Sequence, residues 1–69
     1  MKDFIKLTDH INNPIYIRKD NICLFKPHWR RAEFEGWLET NTEIHLKTCY
    51  HHPISVVEDV KYIVDELEK

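Results

Sequence analysis

The stretch SVVEDVKYIVDELEK, residues 55–69, decides the fold class of this chain. Its apolar residues recur every three or four positions with charged residues between them, which is the pattern of an amphipathic helix. The apolar positions are Val56, Val57, Val60, Ile63, Val64 and Leu67. We therefore expect a C-terminal helix that packs on the rest of the fold with this face.

Ser55 and Glu58 mark the expected start of this helix. Ser and Glu three residues apart form a capping box, in which each side chain accepts a hydrogen bond from a free backbone N–H at the helix start. The acidic residues Glu58 and Asp59 also complement the positive end of the helix dipole. The sequence therefore predicts a helix that begins directly after Ser55.

The residues before this helix alternate in polarity with the period of β-strands. Strands are predicted at residues 4–8, 15–18, 22–25 and 42–50, with turn-forming residues at 12–14. Residues in these strands point alternately to the two faces of a sheet, so one face can be buried under the helix.

The composition is that of a folded globular protein. The 69 residues are 42% hydrophobic and 32% charged, with a formal net charge of -2, far from the low hydrophobicity and high net charge of disordered chains. A chain this short holds one hydrophobic core. We therefore predict a single α+β domain over residues 1–69, in which a small antiparallel β-sheet of hairpins packs on one C-terminal α-helix.

The same composition restricts the function classes. The small net charge gives no field that would draw the whole molecule to nucleic acid or to an anionic membrane. The segment MKDFIKLTDH lacks the apolar run of a signal peptide, and Cys23 and Cys49 are expected to be free thiols in a reducing cytoplasm. Short chains without disulfides often gain buried area by association, so a homo-oligomer is expected.

Residues 27–41, PHWRRAEFEGWLETN, are an insert without a clean period, which we call the aromatic arm. If residues 35–36 form a two-residue turn, the flanks pair as a long hairpin in which Trp29 lies opposite Thr42. A short helix over residues 29–38 is the alternative.

The aromatic arm carries the residues that we expect to bind a partner. Three aromatic rings and two arginines within nine residues are too much apolar surface for a small monomer to leave in water. Trp and Arg are enriched at protein interfaces, and the acidic residues of the arm repel phosphate, which favours a protein partner over nucleic acid. The predicted partner-binding residues are Trp29, Arg30, Arg31, Phe34 and Trp37.

Cysteine and histidine side chains raise the question of a zinc site. The candidates are Cys23, His28, Cys49, His51 and His52. Neither cysteine belongs to a Cys-x2-Cys pair, so no metal and no cofactor is predicted. Nucleophilic catalysis also needs an orienting acid and an oxyanion hole, for which a short chain with one glycine offers little. We expect a protein that is not an enzyme.

Four short pieces, FIKLT, PIYI, TEIHL and VEDVKYIVDEL, occur in that order along the chain. In this order they resemble the flagellar FlbD-like family and its small phage and prophage relatives, whose members open with an I-K-L-T strand and close with a T-x-I-x-L strand before a helix. The resemblance implies a bacterial or phage accessory protein without a catalytic residue. The aromatic arm has no counterpart in the short flagellar members.

These observations lead to one expected function and two alternatives. We expect a non-enzymatic interaction or assembly protein that forms a homo-oligomer and binds a protein partner. The first alternative is a phage-type inhibitor that blocks a host defence protein or sequesters a small ligand. The second is a protein that binds single-stranded nucleic acid through the basic and aromatic side chains of the arm.

Overall fold

The computed structural model describes residues 3–48 and 52–69. In chain order its elements are β1 (Phe4–Thr8), β2 (Pro14–Arg18), a 3₁₀ turn (Lys19–Asn21), β3 (Ile22–Arg30), β4 (Thr40–Leu46), β5 (Ile54–Val56) and α1 (Val60–Leu67). The strands form two antiparallel sheets, one of order β1-β2 and one of order β3-β4-β5. The predicted small α+β fold is therefore confirmed, although its strands make two sheets instead of one.

β1 and β2 form a hairpin whose turn is organised by Asp9. The carboxylate Oδ1 of Asp9 accepts hydrogen bonds from the N–H groups of Ile11 at 3.0 Å and Asn13 at 2.8 Å. Asn12 has a φ of 65°, a left-handed conformation that asparagine tolerates better than most residues. The first strand is thus formed where the sequence predicts it, whereas the turn lies at residues 9–13 and Pro14, which was predicted in the turn, begins β2 and pairs with Thr8.

β3 lies at one edge of the three-stranded sheet. It extends to Arg30, well beyond the predicted third strand, and its pairing with β4 shifts register near both of its ends. Pro27 lies within β3 and has no N–H to donate, which is why proline in a sheet is found mainly on edge strands. The edge position of β3 is therefore consistent with its sequence.

β4 is the central strand of this sheet and corresponds to the predicted fourth strand. Its inward face carries Thr40, Thr42 and Ile44, all of which are buried. Alternation of buried and exposed residues along β4 follows the two-residue period of a strand. β4 ends at Leu46, so the prediction is wrong for residues 47–48, while residues 49–50 lie outside the described residues.

The helix α1 begins later than predicted, because residues 54–56 pair with β4 as an additional strand, β5. Ser55 lies in β5 and does not cap the helix. Asp59 is the N-cap instead, and its carboxylate accepts a hydrogen bond from the N–H of Tyr62 at 2.9 Å. The predicted capping box is wrong, because strand pairing uses the residues before the helix and the carboxylate of Glu58 binds β1.

One hydrophobic core joins the two sheets and the helix. Its fully or almost fully buried members come from β1, β2, β4, β5 and α1. Detachment of any of these elements from the core would expose apolar surface to water. These residues are Ile5, Leu7, Ile17, Ile44, Val56 and Ile63. The predicted inward positions of the first strand and the central position of the helix are among them.

Thr8 joins the end of β1 to the segment between β5 and α1. Its C=O accepts a hydrogen bond from the N–H of Val57 at 2.9 Å. Its N–H and its hydroxyl group donate to the two carboxylate oxygens of Glu58 at 2.8 and 2.9 Å. The C=O of Glu58 in turn accepts from the hydroxyl of Thr42 at 2.7 Å. Glu58 therefore links β1, β4 and the start of α1.

Candidate functional site

Residues 31–39 of the aromatic arm form an irregular connection between β3 and β4. The N–H of Trp37 donates to the C=O of Phe34 at 3.0 Å, which places Glu35 and Gly36 at the centre of a β-turn. Gly36 has a φ of 87°, a conformation that a residue without Cβ adopts readily. The turn is where the sequence predicts it.

The strands that flank this turn do not pair as predicted. Arg30 lies opposite Thr40 at the end of the ladder, and Pro27, not Trp29, lies opposite Thr42. The predicted register is wrong because β3 shifts register before its end and the chain then leaves the sheet as a wide loop. The alternative short helix is not formed either.

Trp37 attaches this loop to the turn of the first hairpin. Its ring contacts the ring of His10 edge-on, with a centroid distance of 4.7 Å, and the ring of Phe34 with a centroid distance of 4.6 Å. The N–H of Leu38 donates to the C=O of His10 at 2.7 Å. Trp37 is half-buried, so this predicted partner-binding residue also contributes to the fold.

Trp29 and Phe34 are the exposed rings of the aromatic arm, with 63% and 58% of their surfaces accessible to solvent. The guanidinium carbon of Arg31 lies 5.8 Å from the centre of the Trp29 ring, and that of Arg30 lies 6.0 Å from the centre of the Trp37 ring. Both distances allow cation–π attraction. The five predicted residues thus form two stacked Arg–Trp pairs, with Phe34 against one of them.

A shallow groove of about 580 Å³ runs beside Trp29, between the end of β3 and the start of α1. Pro27 and Val60 provide apolar surface, while Asn41 and Lys61 provide polar groups. The groove is open to solvent, and an exposed tryptophan at its border is typical of a surface that receives side chains of another protein. We call Trp29, Phe34 and this groove the aromatic surface.

A second and more enclosed cavity of about 660 Å³ opens between the two sheets, and we call it the cleft. One side is formed by β2 and the other by β4 and β5, with the loop of the aromatic arm at its end. The apolar lining includes Ile15, Ile17, Trp37, Leu38, Leu46 and Ile54. Three of the predicted partner-binding residues, Arg30, Arg31 and Trp37, are part of the lining of the cleft.

The candidate zinc ligands are only partly within the described chain. Cys23 is exposed and His28 is half-buried, whereas Cys49 and His51 lie outside the described residues. Residues 3–48 and 52–69 contain no group of three His, Cys, Asp or Glu side chains that could hold a metal ion. The prediction that the protein needs no metal stays a prediction.

Glu43 forms a charged cluster on the face of β4 that points away from the core. Its carboxylate lies 3.4 Å from the Lys26 ammonium group and 3.6 Å from Nε2 of His45. Partial burial of the carboxyl group raises its pKa, but Lys26 and His45 together lower it by more, so that the pKa of Glu43 is below its ordinary value. This cluster favours the ionised form of Glu43.

No family model, curated protein or solved structure matches this chain. Among the described residues, no helix is long and apolar enough to cross a membrane. The aromatic surface and the cleft are therefore the features from which a function can be inferred.

The cleft is the part of the candidate site that the sequence does not reveal. Its lining residues come from β2, β4, β5 and the loop of the aromatic arm, which are far apart along the chain. Periodicity predicts which face of a strand is inward, but it does not tell a filled core from an open cavity. The sequence pattern predicts no strand at residues 54–56, and it therefore does not indicate that β5 forms part of the wall of this cavity.

Proposed function

We propose that this protein is a non-enzymatic interaction protein that associates with another protein chain, in the first instance a second copy of itself, through the aromatic surface. The proposal rests on the exposure of Trp29 and Phe34, which is 63% and 58%. Each ring presents on the order of 100 Å² of surface to water. Covering both would contribute roughly 5 kcal/mol at about 25 cal/mol per Å².

The side chains around these rings favour a protein partner over nucleic acid. Arg31 stacks on Trp29, and Trp and Arg together are typical of the residues that dominate binding energy at protein interfaces. Glu33, Glu35 and Glu39 lie in the same loop and are exposed. These carboxylates would repel a phosphate backbone, whereas a protein partner can meet them with basic side chains.

We also propose that the chain is a cytoplasmic accessory protein of a bacterium or a phage, related to the FlbD-like family. This part of the proposal rests on the sequence motifs FIKLT, TEIHL and VEDVKYIVDEL. Genes for flagellar proteins beside its gene would favour an assembly role in motility. Early phage genes in that place would favour an inhibitor of a host protein.

Sedimentation analysis of the wild type and of the double variant Trp29→Ala, Phe34→Ala tests the association. The wild type should form a concentration-dependent oligomer. The double variant should associate about 100-fold more weakly, which corresponds to about 2.8 kcal/mol. Its melting temperature, extrapolated to low protein concentration, should change little, because neither ring belongs to the buried core.

Trp37→Ala is the matched control, since it removes a ring of the same kind from the aromatic arm. Because Trp37 packs against His10 and Phe34, this variant should melt at a lower temperature than the double variant. A wild type that stays monomeric at high concentration would contradict self-association. A double variant that associates normally but melts far below the wild type would show that the exposed rings serve the fold.

A further inference from the structure

The cleft has the size and the lining of a small-molecule site. Its volume of about 660 Å³ is within the range of roughly 300–1,000 Å³ found for ligand pockets. Ile15 and Ile17 of β2 face Leu46 and Ile54 across it, and these side chains belong to the core or pack against it. Apolar surface on two facing sides can enclose an aromatic ring or a branched aliphatic group.

The charged groups around the cleft are mainly positive. Arg18, Arg30 and Arg31 are part of the lining, and Asp9 is its one carboxylate within the described chain. The Asp9 carboxylate already accepts two backbone hydrogen bonds in its own turn, and Arg18 is paired with Asp20.

Arg30 and Arg31 have no ion pair with any described residue. Arg30 is held over the Trp37 ring, which leaves the N–H groups at the edge of its guanidinium plane free to donate. The cleft therefore has two arginine side chains without a carboxylate partner among the described residues, beside an apolar cavity.

Thr40 supplies a second, independent indication of a ligand. It lines the cleft and is only 1% exposed, yet its hydroxyl group has no hydrogen-bond partner among the described residues. A buried hydroxyl without a partner is unfavourable and is uncommon in folded proteins. The oxygen itself has less than 1 Å² of accessible surface, so a polar atom of a molecule in the cleft would satisfy this group after a small displacement of the side chains that cover it.

We propose that the cleft binds a small amphipathic oxyanion, in which an aromatic or branched apolar body carries one carboxylate, phosphate or sulfonate group. The body lies between Ile17 and Leu46, and the anionic group accepts hydrogen bonds from Arg30 and Arg31. A bare inorganic anion would leave the apolar sides uncovered, and a neutral apolar molecule would leave the arginines unused. The cleft adjoins the aromatic surface through Arg31, which lies over Trp29, and through Trp37, which contacts Phe34. The proposed ligand site nevertheless goes beyond the proposed protein association, because it takes a small molecule and not a protein chain.

The probe is anilinonaphthalene sulfonate, an aromatic sulfonate, with uncharged phenylnaphthylamine as its matched control. Titrations followed by dye fluorescence and by calorimetry give the two affinities for wild-type protein. The charged dye should bind at one site and about 10-fold more tightly than the uncharged dye, as expected for a charge-assisted hydrogen bond. Amide chemical shifts should change at Ile15, Ile17 and Leu46.

Three variants test whether the anionic group of the ligand binds Arg30 and whether a polar atom of the ligand contacts the hydroxyl group of Thr40. Arg30→Gln should weaken binding of the charged dye about 10-fold. Lys26→Gln removes the same charge from the other face of the sheet, and it should leave the affinity unchanged. Thr40→Val should weaken binding about 3-fold without lowering the melting temperature. If Arg30→Gln fails to fold, Arg31→Gln replaces it, because the contact of Arg30 with Trp37 is then retained.

The proposal is overturned if the wild type binds neither dye, if it binds both equally, or if Arg30→Gln and Lys26→Gln have the same effect. It is also overturned if the chemical shifts change at the aromatic surface instead of the cleft. Each of these results leaves the sedimentation experiment unaffected, so failure of the ligand site and failure of self-association can be told apart.

Discussion

Replacement of Glu58 by alanine should destabilise the fold more than replacement of Glu43 or Asp59. The carboxylate accepts one hydrogen bond from the N–H and one from the hydroxyl of Thr8. A hydrogen bond to a charged group contributes about 1.5–3 kcal/mol when it is buried. Because both bonds are only partly buried, we expect a combined loss of about 2–4 kcal/mol.

This loss is large for a domain of this size, whose single core supplies roughly 3–5 kcal/mol of net stability. With about 4–8 °C of melting temperature for each kcal/mol, Glu58→Ala should melt at least about 8 °C below the wild type. The assay is thermal and urea unfolding followed by circular dichroism. Glu33→Ala, at an exposed loop position, is the control and should change stability by less than about 0.5 kcal/mol.

A double-mutant cycle tests whether the loss arises from the contact with Thr8. Thr8→Val removes only the hydroxyl group and should cost about 1 kcal/mol in the wild type. In the Glu58→Ala background the same change should cost less than half as much, because its partner is already absent. A Glu58→Ala variant that melts within about 2 °C of the wild type, or a Thr8→Val change that costs the same in both backgrounds, would show that the contact between Glu58 and Thr8 does not stabilise the fold.

Four further outcomes are expected. Asp59→Ala should lower the free energy of unfolding by about 1 kcal/mol, because it removes the helix cap, whereas Ser55→Ala should lower it clearly less. If thermal unfolding ranks the two variants in the opposite order, Ser55 caps the helix and not Asp59. Ile63→Ala should cost about 2–5 kcal/mol, because Ile63 is fully buried, and an unchanged urea midpoint would contradict this. The pKa of Glu43 in the fold is below its ordinary value of 4.5. The ionised carboxylate therefore stabilises the fold above pH 4.5, and this contribution is lost as the pH falls through the folded pKa. The melting temperature of Glu43→Gln should therefore fall less than that of the wild type when the pH is lowered through this range. EDTA should leave the circular dichroism spectrum unchanged, and bound zinc with loss of structure in EDTA would show a metal site.

Sequence periodicity predicted those elements whose pattern is produced by burial on one face. Ile5 and Leu7 alternate with polar residues and are buried in β1, and Ile63 is the buried centre of the helical pattern. Val56 also fits that helical pattern, but it is buried in β5. A short apolar run has the same composition in a strand and in the first turn of a helix, so only pairing with β4 decides between them.

The aromatic arm shows a different limit of sequence analysis. A glycine turn is a local property, and residues 35–36 form the turn as predicted. The register of the flanking strands depends on a shift inside β3 and on the packing of Trp37 against His10. His10 is far from Trp37 along the chain, so no pattern within the arm could reveal this contact.

The edge position of β3 affects how the protein behaves at high concentration. A free strand edge offers N–H and C=O groups to other chains and is a common starting point of aggregation. Pro27 removes one donor from β3, the register shifts twice along it, and the Lys26 side chain is exposed. These features oppose the addition of a further strand. Copies of this chain should therefore meet through side chains, in assemblies that dissociate on dilution, and should not grow into fibrils.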